Sequence, residues 1–190
     1  LDRVFLGGAH PSIQGKRVGL LTNHTAVDRN GNTAIDRFLL RKDCKLVAFF
    51  APEHGLYGQQ HASEKIKDSK HAGIPVYSLY GANRRPSDAQ LKGIDVVVYD
   101  IQDIGVRSYT YASSLFYMME EAAKRNIELV VLDRPNPING LIVDGPMLHN
   151  KWRSFIGYIN VPYIHGMTIG ELAEFFNTEY KIGVKLTVIP

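Results

Sequence analysis

Glu53 is the first residue of the sequence whose surroundings suggest acid–base chemistry. It stands in the segment Ala51-Pro52-Glu53-His54-Gly55, where Pro52 stiffens the backbone and Gly55 permits a tight turn. A carboxyl group held in this way at a cleft could have a raised pKa and donate a proton to a leaving oxygen. The alternative is a carboxylate that caps a helix or braces its own loop.

Asp100 and Asp103 follow another apolar run and lie close in sequence to Arg107. One of the two carboxylates could be the second acidic group of a hydrolase, and Arg107 could hold a substrate carboxylate through a forked pair of hydrogen bonds. An Asp–Arg ion pair that braces the loop explains these residues equally well. Nearby, Tyr109 and Tyr111 could offer hydroxyl groups or a sugar-stacking face, or could pack in the core.

Two further segments are rich in polar groups. Asp133, Arg134 and Asn136 stand among two prolines, so they form either a binding loop or simply a rigid turn. His165 shortly precedes a helix that the sequence predicts to begin near Thr168. The N-terminus of a helix can bind an anion, and His165 could lie near it, although a structural histidine is an equally simple interpretation.

Residue types and spacing also bear on metal and cofactor sites. His24, His54 and His165 could meet Asp100 and Asp103 around a metal ion. However, the sequence contains neither the His-Glu-x-x-His spacing nor the paired cysteines of zinc sites. It also lacks Gly-x-Gly-x-x-Gly after the first strand and Gly-x-x-x-x-Gly-Lys-Ser/Thr anywhere, so no phosphate loop and no cofactor are predicted.

A regular alternation of apolar runs and helical patterns predicts the scaffold for these side chains. The predicted strands cover residues 18–21, 46–50, 76–80, 95–99, 128–132 and 185–189. The predicted helices cover residues 33–40 and 112–123, with a short one after Pro86 and another from about Thr168. Continuous apolar strands are typical of sheets covered on both faces. We therefore predict an α/β fold, a Rossmann-like, doubly wound, mostly parallel sheet with helices on both faces. Its ligand site should lie beyond the carboxyl ends of the strands.

Length and composition agree with a single domain over residues 1–190. A net charge of +3 without a basic run gives no reason to expect a nucleic-acid partner. No run of about 18 apolar residues occurs, so no membrane insertion is expected. Cys44 stands alone and is interpreted as a structural thiol.

Five segments in one order resemble motifs of the bacterial exo-β-N-acetylmuramidase family. They are residues 15–25, 51–55, 99–111, 132–137 and 161–172, and Ala51-Pro52-Glu53-His54-Gly55 looks like the central motif of that family. The resemblance extends from about Gly15 to Pro190. Within residues 60–64 it departs from the family pattern, because Ser63 stands where a glycine is expected, although Glu64 still aligns.

The resemblance implies a hydrolase that removes N-acetylmuramic acid from the non-reducing end of peptidoglycan fragments. It implies action in cell-wall turnover, in the periplasm or after secretion. It also implies a Rossmann-like catalytic domain, represented by this chain, and a smaller C-terminal domain that this chain lacks. The active cleft of such proteins lies between the two domains.

The resemblance and the positions after the strands together assign hypothetical roles. Glu53 would be the general acid and base, and Asp100 or Asp103 the second carboxylate. Arg107, or else His165, would bind the muramic lactyl carboxylate. The other predicted substrate-binding residues are Asn23, His24, His54, Tyr109, Asp133, Arg134 and Asn136. Two alternatives stay open: a non-catalytic module that binds cell-wall sugars, and a metal-dependent hydrolase of another substrate.

Overall fold

A predominantly parallel β-sheet organises the chain. The structure is a computed structural model that describes residues 1–59, 68–81 and 83–190. The strands are β1 Arg17–Thr22, β2 Lys45–Ala51, β3 Ser69–His71, β4 Ile74–Ser78, β5 Val96–Asp100, β6 Glu128–Leu132 and β7 Leu186–Ile189. The α-helices are α1 Ala34–Leu39, α2 Asp88–Leu91, α3 Thr110–Ala123 and α4 Ile169–Glu179. The family-pattern departure at Ser63 and Glu64 lies outside the described residues.

The strand order among the described residues is β3-β4-β2-β1-β5-β6-β7. All neighbouring strands pair in parallel except β3, which pairs antiparallel with β4. The parallel strands, counted in chain order, run 3-2-1-4-5-6, which is the order of Rossmann folds, and the order reverses between β1 and β5. The predicted α/β, mostly parallel fold is therefore confirmed.

Both faces of the sheet are covered, and the central strands are buried throughout. In β5, Val97 and Tyr99 pack in the cluster that contains α3 and α4, whereas Val96 and Val98 pack in the cluster that contains α1. We call these the α3 face and the α1 face. Successive side chains of a strand point to opposite faces of the sheet. When helices cover both faces, every side chain of the strand is buried and is usually apolar. This explains the continuous apolar runs of the sequence.

The two predicted capping boxes are present and define where helices begin. Thr168 accepts a hydrogen bond from the backbone of Glu171, and the Glu171 side chain binds back to the Thr168 backbone. Ser87 and Gln90 form the same arrangement at α2. The N-terminus of α4 lies close to the loop that follows β6, because the backbone of Gly170 donates a hydrogen bond to Asp133.

Candidate active site

The carboxyl ends of the parallel strands meet at one edge of the sheet, and a cavity of about 270 Å³ opens there. It lies where the loop after β2 meets the N-terminus of α3, the helix that follows β5. The residues that line it are Glu53, His54, Ser108, Tyr109, Thr110, Tyr111 and Ile156. Ligands of doubly wound sheets bind beyond this edge, near the point where the strand order reverses. The cavity has that location.

Glu53 is half-buried in this cavity, and neighbouring hydroxyl groups orient its carboxylate. The hydroxyl of Thr110, the first residue of α3, donates a hydrogen bond to Oε2 of Glu53 at 2.6 Å. The hydroxyl of Tyr80, after β4, also hydrogen-bonds Glu53, and this contact raises the pKa of Tyr80. His54 adopts a positive φ of 68°, an unusual backbone conformation for a residue other than glycine. Such local strain is found at functional sites.

Two tyrosines and an asparagine extend the site toward β1. The rings of Tyr109 and Tyr111 contact edge to face at 4.7 Å between centroids. Burial raises the pKa of Tyr111, and the nearby Tyr109 and Glu53 act in the same direction. Asn23, after β1, is buried and accepts a hydrogen bond from the hydroxyl of Thr25. Nδ2 of Asn23 makes no hydrogen bond of ordinary geometry among the described residues. The Asn23 side chain nevertheless lies close to the Tyr111 hydroxyl and opposes the rise in the pKa of Tyr111.

Asp100 is not part of this cavity. It is fully buried, and its Oδ1 accepts a hydrogen bond from Nε of Arg134 at 2.7 Å. The two terminal nitrogens of Arg134 donate to the carbonyl of Val27, in the loop that leads to α1. Asp100 has the same strand parity as Val96 and Val98, so it belongs to the α1 face. Glu53 instead contacts Thr110, the first residue of α3. The geometry favours the bracing ion pair over the second catalytic carboxylate.

Asp103 and His165 form a second buried pair, likewise outside the cavity. Oδ2 of Asp103 accepts a hydrogen bond from the backbone N–H of Gly105 at 2.9 Å and lies 3.8 Å from Nε2 of His165. Nδ1 of His165 accepts from the backbone of Met167. Burial raises the pKa of Asp103 to about 6 and lowers the pKa of His165, so burial favours the neutral form of each group.

The stability of the protein should depend on pH through Asp103. The carboxyl is protonated in both states below about pH 4, and above that pH the unfolded chain releases its proton first. The contribution of Asp103 to the free energy of unfolding should therefore fall by up to about 3 kcal/mol between pH 4 and pH 6. Asp103→Asn should remove this fall in urea titrations at several pH values, whereas Asp144→Asn, an exposed control, should keep it. An unchanged slope in Asp103→Asn would contradict the assignment.

Asp133 and Asn136 brace the loop after β6 against α4. Oδ1 of Asp133 accepts from the backbone of Gly170 at 2.8 Å, and Oδ2 accepts from the hydroxyl of Thr168 at 2.9 Å. A Cβ on Gly170 would come within 2.7 Å of Asp133 Cγ, so only glycine permits this approach. Asn136 donates to the carbonyl of Met167 at 3.0 Å. These contacts favour the rigid-turn interpretation of the segment.

Arg107 and His24 also lie outside the cavity lining. Nη1 of Arg107 donates to the carbonyl oxygens of Pro146, at 2.7 Å, and Val161. The guanidinium therefore fastens the segment before α4 to the loop before α3. His24 is exposed after β1, and its ring lies against Gly58, where a Cβ would be 2.3 Å from the ring.

Sequence reasoning missed two residues that contact Glu53, namely Tyr80 and Thr110. Tyr80 was placed at the end of a predicted strand, and only the pairing of β4 with β2 brings it to Glu53. Thr110 stands in the resembling segment 99–111, directly before the apolar stripe of α3. The sequence feature that could have identified Thr110 is its hydroxyl group at the first turn of a predicted helix.

The described residues contain no group of three or more His, Cys, Asp or Glu side chains arranged to hold a metal ion. Within the same ranges, no helix is both long and apolar enough to span a bilayer.

Comparison with known proteins identifies the family. A family model described as "Exo-beta-N-acetylmuramidase NamZ, N-terminal" matches residues 18–190. The chain belongs to this family. The peptidoglycan β-N-acetylmuramidase NamZ of Bacillus subtilis strain 168 is 43% identical over 179 residues, which are 93% of this chain and 43% of that protein. The match to the NamZ family begins in β1 and includes β7, so it covers the whole sheet.

Two solved structures share the fold of this chain. A DUF1343 family protein of Bacteroides fragilis superposes with a TM-score of 0.86 at 46% identity, covering 94% of this chain and 46% of that one. A second DUF1343 family protein of the same organism gives 0.80 at 36% identity, covering 100% and 49%. The chain thus spans less than half the length of these relatives.

Proposed function

We propose that this chain is the catalytic, Rossmann-like part of a glycoside hydrolase that releases N-acetylmuramic acid from the non-reducing end of peptidoglycan fragments. Glu53 is the general acid and base. One observation carries the proposal. In a NamZ-family chain, the half-buried carboxyl of Glu53 lines the cavity at the carboxyl edge of the sheet, oriented by the hydroxyls of Tyr80 and Thr110.

The chemistry follows from that geometry. A protonated Glu53 donates its proton to the glycosidic oxygen as the bond from that oxygen to the anomeric carbon of the muramyl residue breaks. The oxygen of a water molecule then bonds to this anomeric carbon, and the Glu53 carboxylate accepts the proton that the water loses. The hydroxyl contacts of Glu53 limit the rotation of its carboxyl group, which keeps the transferable proton in one direction. Asp100 and Asp103 support the scaffold, because each is engaged in a buried contact away from the cavity.

The cavity suits one sugar residue. Its volume of about 270 Å³ is near the lower end of small-molecule sites, roughly 300 Å³. Tyr109 offers a half-buried aromatic ring on the wall, and sugars pack favourably on such rings. The substrate class also supports action in the periplasm or outside the cell. The greater length of the relatives supports a C-terminal domain that completes the cleft.

Product analysis tests the proposed reaction. The complete gene product, incubated with a defined N-acetylmuramyl-β-1,4-N-acetylglucosamine disaccharide, should release the two monosaccharides in equal amounts. The disaccharide with the reversed order of sugars should remain intact. Binding without release would indicate a sugar-binding module instead. Activity that is lost on chelation and restored by a divalent metal would indicate a metal-dependent hydrolase.

A further inference from the structure

A second cavity, of about 390 Å³, opens on the α3 face of the sheet. The residues that line this cavity include two arginines. They are Gly81, Asn83, Arg84, Arg85 and Tyr117. It lies in the loop that follows β4, the loop that also carries Tyr80. The two arginines differ in what they contact, and this difference indicates which one is available to a ligand.

Arg85 is already neutralised by the protein. Its guanidinium forms ion pairs with Glu120 at 2.5 Å and with Glu121 at 3.2 Å. It also donates to the hydroxyl of Tyr158 and lies 3.9 Å from the ring centroid of Tyr117. With two carboxylates bound, Arg85 has little remaining attraction for a third. Its role is to fasten the loop after β4 to α3.

Arg84 has a different environment. It is exposed, and its guanidinium carbon lies 4.4 Å from the centroid of the Phe155 ring. Among the described residues, no carboxylate lies within ion-pair distance of Arg84. When a guanidinium stacks with its planar face on an aromatic ring, the N–H groups along the edge of the guanidinium stay free to donate hydrogen bonds. Arg84 is therefore an oriented cation without an anionic partner in the described part of the chain.

Tyr80 and Phe155 connect Arg84 to the cavity of Glu53. The positive charge of Arg84 and the negative charge of Glu53 act in opposite directions on the pKa of the same Tyr80 hydroxyl. The rings of Tyr80 and Phe155 lie 6.4 Å apart, and Ile156, the next residue, lines the Glu53 cavity. The acid and the unpaired guanidinium thus both lie near enough to one tyrosine hydroxyl to influence its pKa.

We propose that Arg84 binds the lactyl carboxylate of N-acetylmuramic acid and so determines specificity for this sugar over N-acetylglucosamine. The inference rests on the proposed function. The lactyl ether is the group that muramic acid has and glucosamine lacks, and it projects from the sugar ring with a negative charge. A ring whose glycosidic oxygen lies at Glu53 can extend this group past Tyr80 to Arg84, where a forked pair of hydrogen bonds is possible.

The structure favours Arg84 over the arginine that the sequence suggested. Arg107 already donates through Nη1 to the carbonyls of Pro146 and Val161, and it does not line either cavity. Nη1 of Arg107 is committed to holding the segment before α4. Arg84 can bind a carboxylate without losing an ion pair to any described residue.

Binding measurements on the complete gene product test the assignment. The probes are N-acetylmuramic acid and its methyl ester, in which the lactyl carboxylate is neutral, measured by isothermal titration calorimetry. The unmodified protein should bind the acid about 10-fold more tightly than the ester, because a charge-assisted hydrogen bond is lost in the ester. Arg84→Gln should remove this preference, and Arg84→Lys should retain part of it. Arg3→Gln is the matched control, since it removes an exposed guanidinium beside Val4, a residue of the α1 face.

Three outcomes would overturn the inference: no preference for the acid in the unmodified protein, a preference that survives Arg84→Gln, or a preference that Arg107→Gln alone removes. Thermal unfolding of each variant shows that its fold is intact. The hydrolysis assay on the same preparations separates the two proposals. An acid preference that depends on Arg84, in a protein that releases no sugar, would overturn the hydrolase and leave the carboxylate site standing.

Discussion

Glu53→Gln should lower the turnover of an N-acetylmuramyl-N-acetylglucosamine disaccharide by about 10²–10⁴-fold. Glutamine keeps the size of the side chain and an oxygen that can accept from Thr110 and Tyr80, but it cannot transfer a proton. Sugar binding should change little, because the cavity keeps its shape. The measurement is kcat with the disaccharide, with the binding of N-acetylmuramic acid followed in parallel.

The leaving group provides an internal check on the role of Glu53. A 4-nitrophenyl muramide releases a weakly basic phenolate that needs little protonation, so the deficit of Glu53→Gln should be smaller with it than with the disaccharide. The matched control is Glu179→Gln, which removes an exposed carboxyl at the end of α4 and should keep full turnover. Near-normal turnover of the disaccharide by Glu53→Gln would remove Glu53 from the acid role.

Arg134→Met should lower the free energy of unfolding by about 3–5 kcal/mol, the cost typical of removing one partner of a buried ion pair. Asp100 would then be left without its cation at a site with no solvent exposure, and its Oδ2 already has no hydrogen bond among the described residues. Urea denaturation at pH 7 measures the change. Adding Asp100→Asn to Arg134→Met should recover part of the loss, because the double variant carries no buried charge at this position.

Arg29→Met is the control for that experiment. Arg29 pairs with Asp2 at 3.0 Å, but its side chain is 77% exposed, so its loss should cost less than about 1 kcal/mol. A similarly small effect for Arg134→Met would contradict the bracing role of the buried pair. Normal stability combined with a loss of turnover in Arg134→Met would return Asp100 to the list of catalytic candidates.

The sheet was predictable from the sequence because burial on both faces leaves a plain hydrophobic pattern. The six parallel strands were all found, although the one ending at Ser78 begins and ends two residues earlier than predicted. Strand β3 was not predicted. Its three residues, Ser69, Lys70 and His71, are polar and partly or fully exposed, so only their pairing with β4 makes them a strand.

The sequence predicted only those site residues whose position follows from standing directly after a strand. Glu53 follows a strand end directly, and its flanking proline and glycine are visible in the sequence. The placement of Asp100 depends on strand parity instead, since a shift of one residue moves a side chain to the other face. The contacts of Tyr80 and Arg84 depend on which strands are neighbours in the sheet. No spacing along the chain contains that information.

The separation of the two faces has a practical consequence for protein engineering. The candidate chemistry lies with α3, whereas the Asp100–Arg134 brace and the α1 cluster lie across the sheet from it. Free-energy effects of substitutions at distant sites without shared partners usually add. Thermostabilising changes introduced around α1 should therefore combine with redesigned specificity around Tyr80 and Arg84, each without erasing the benefit of the other.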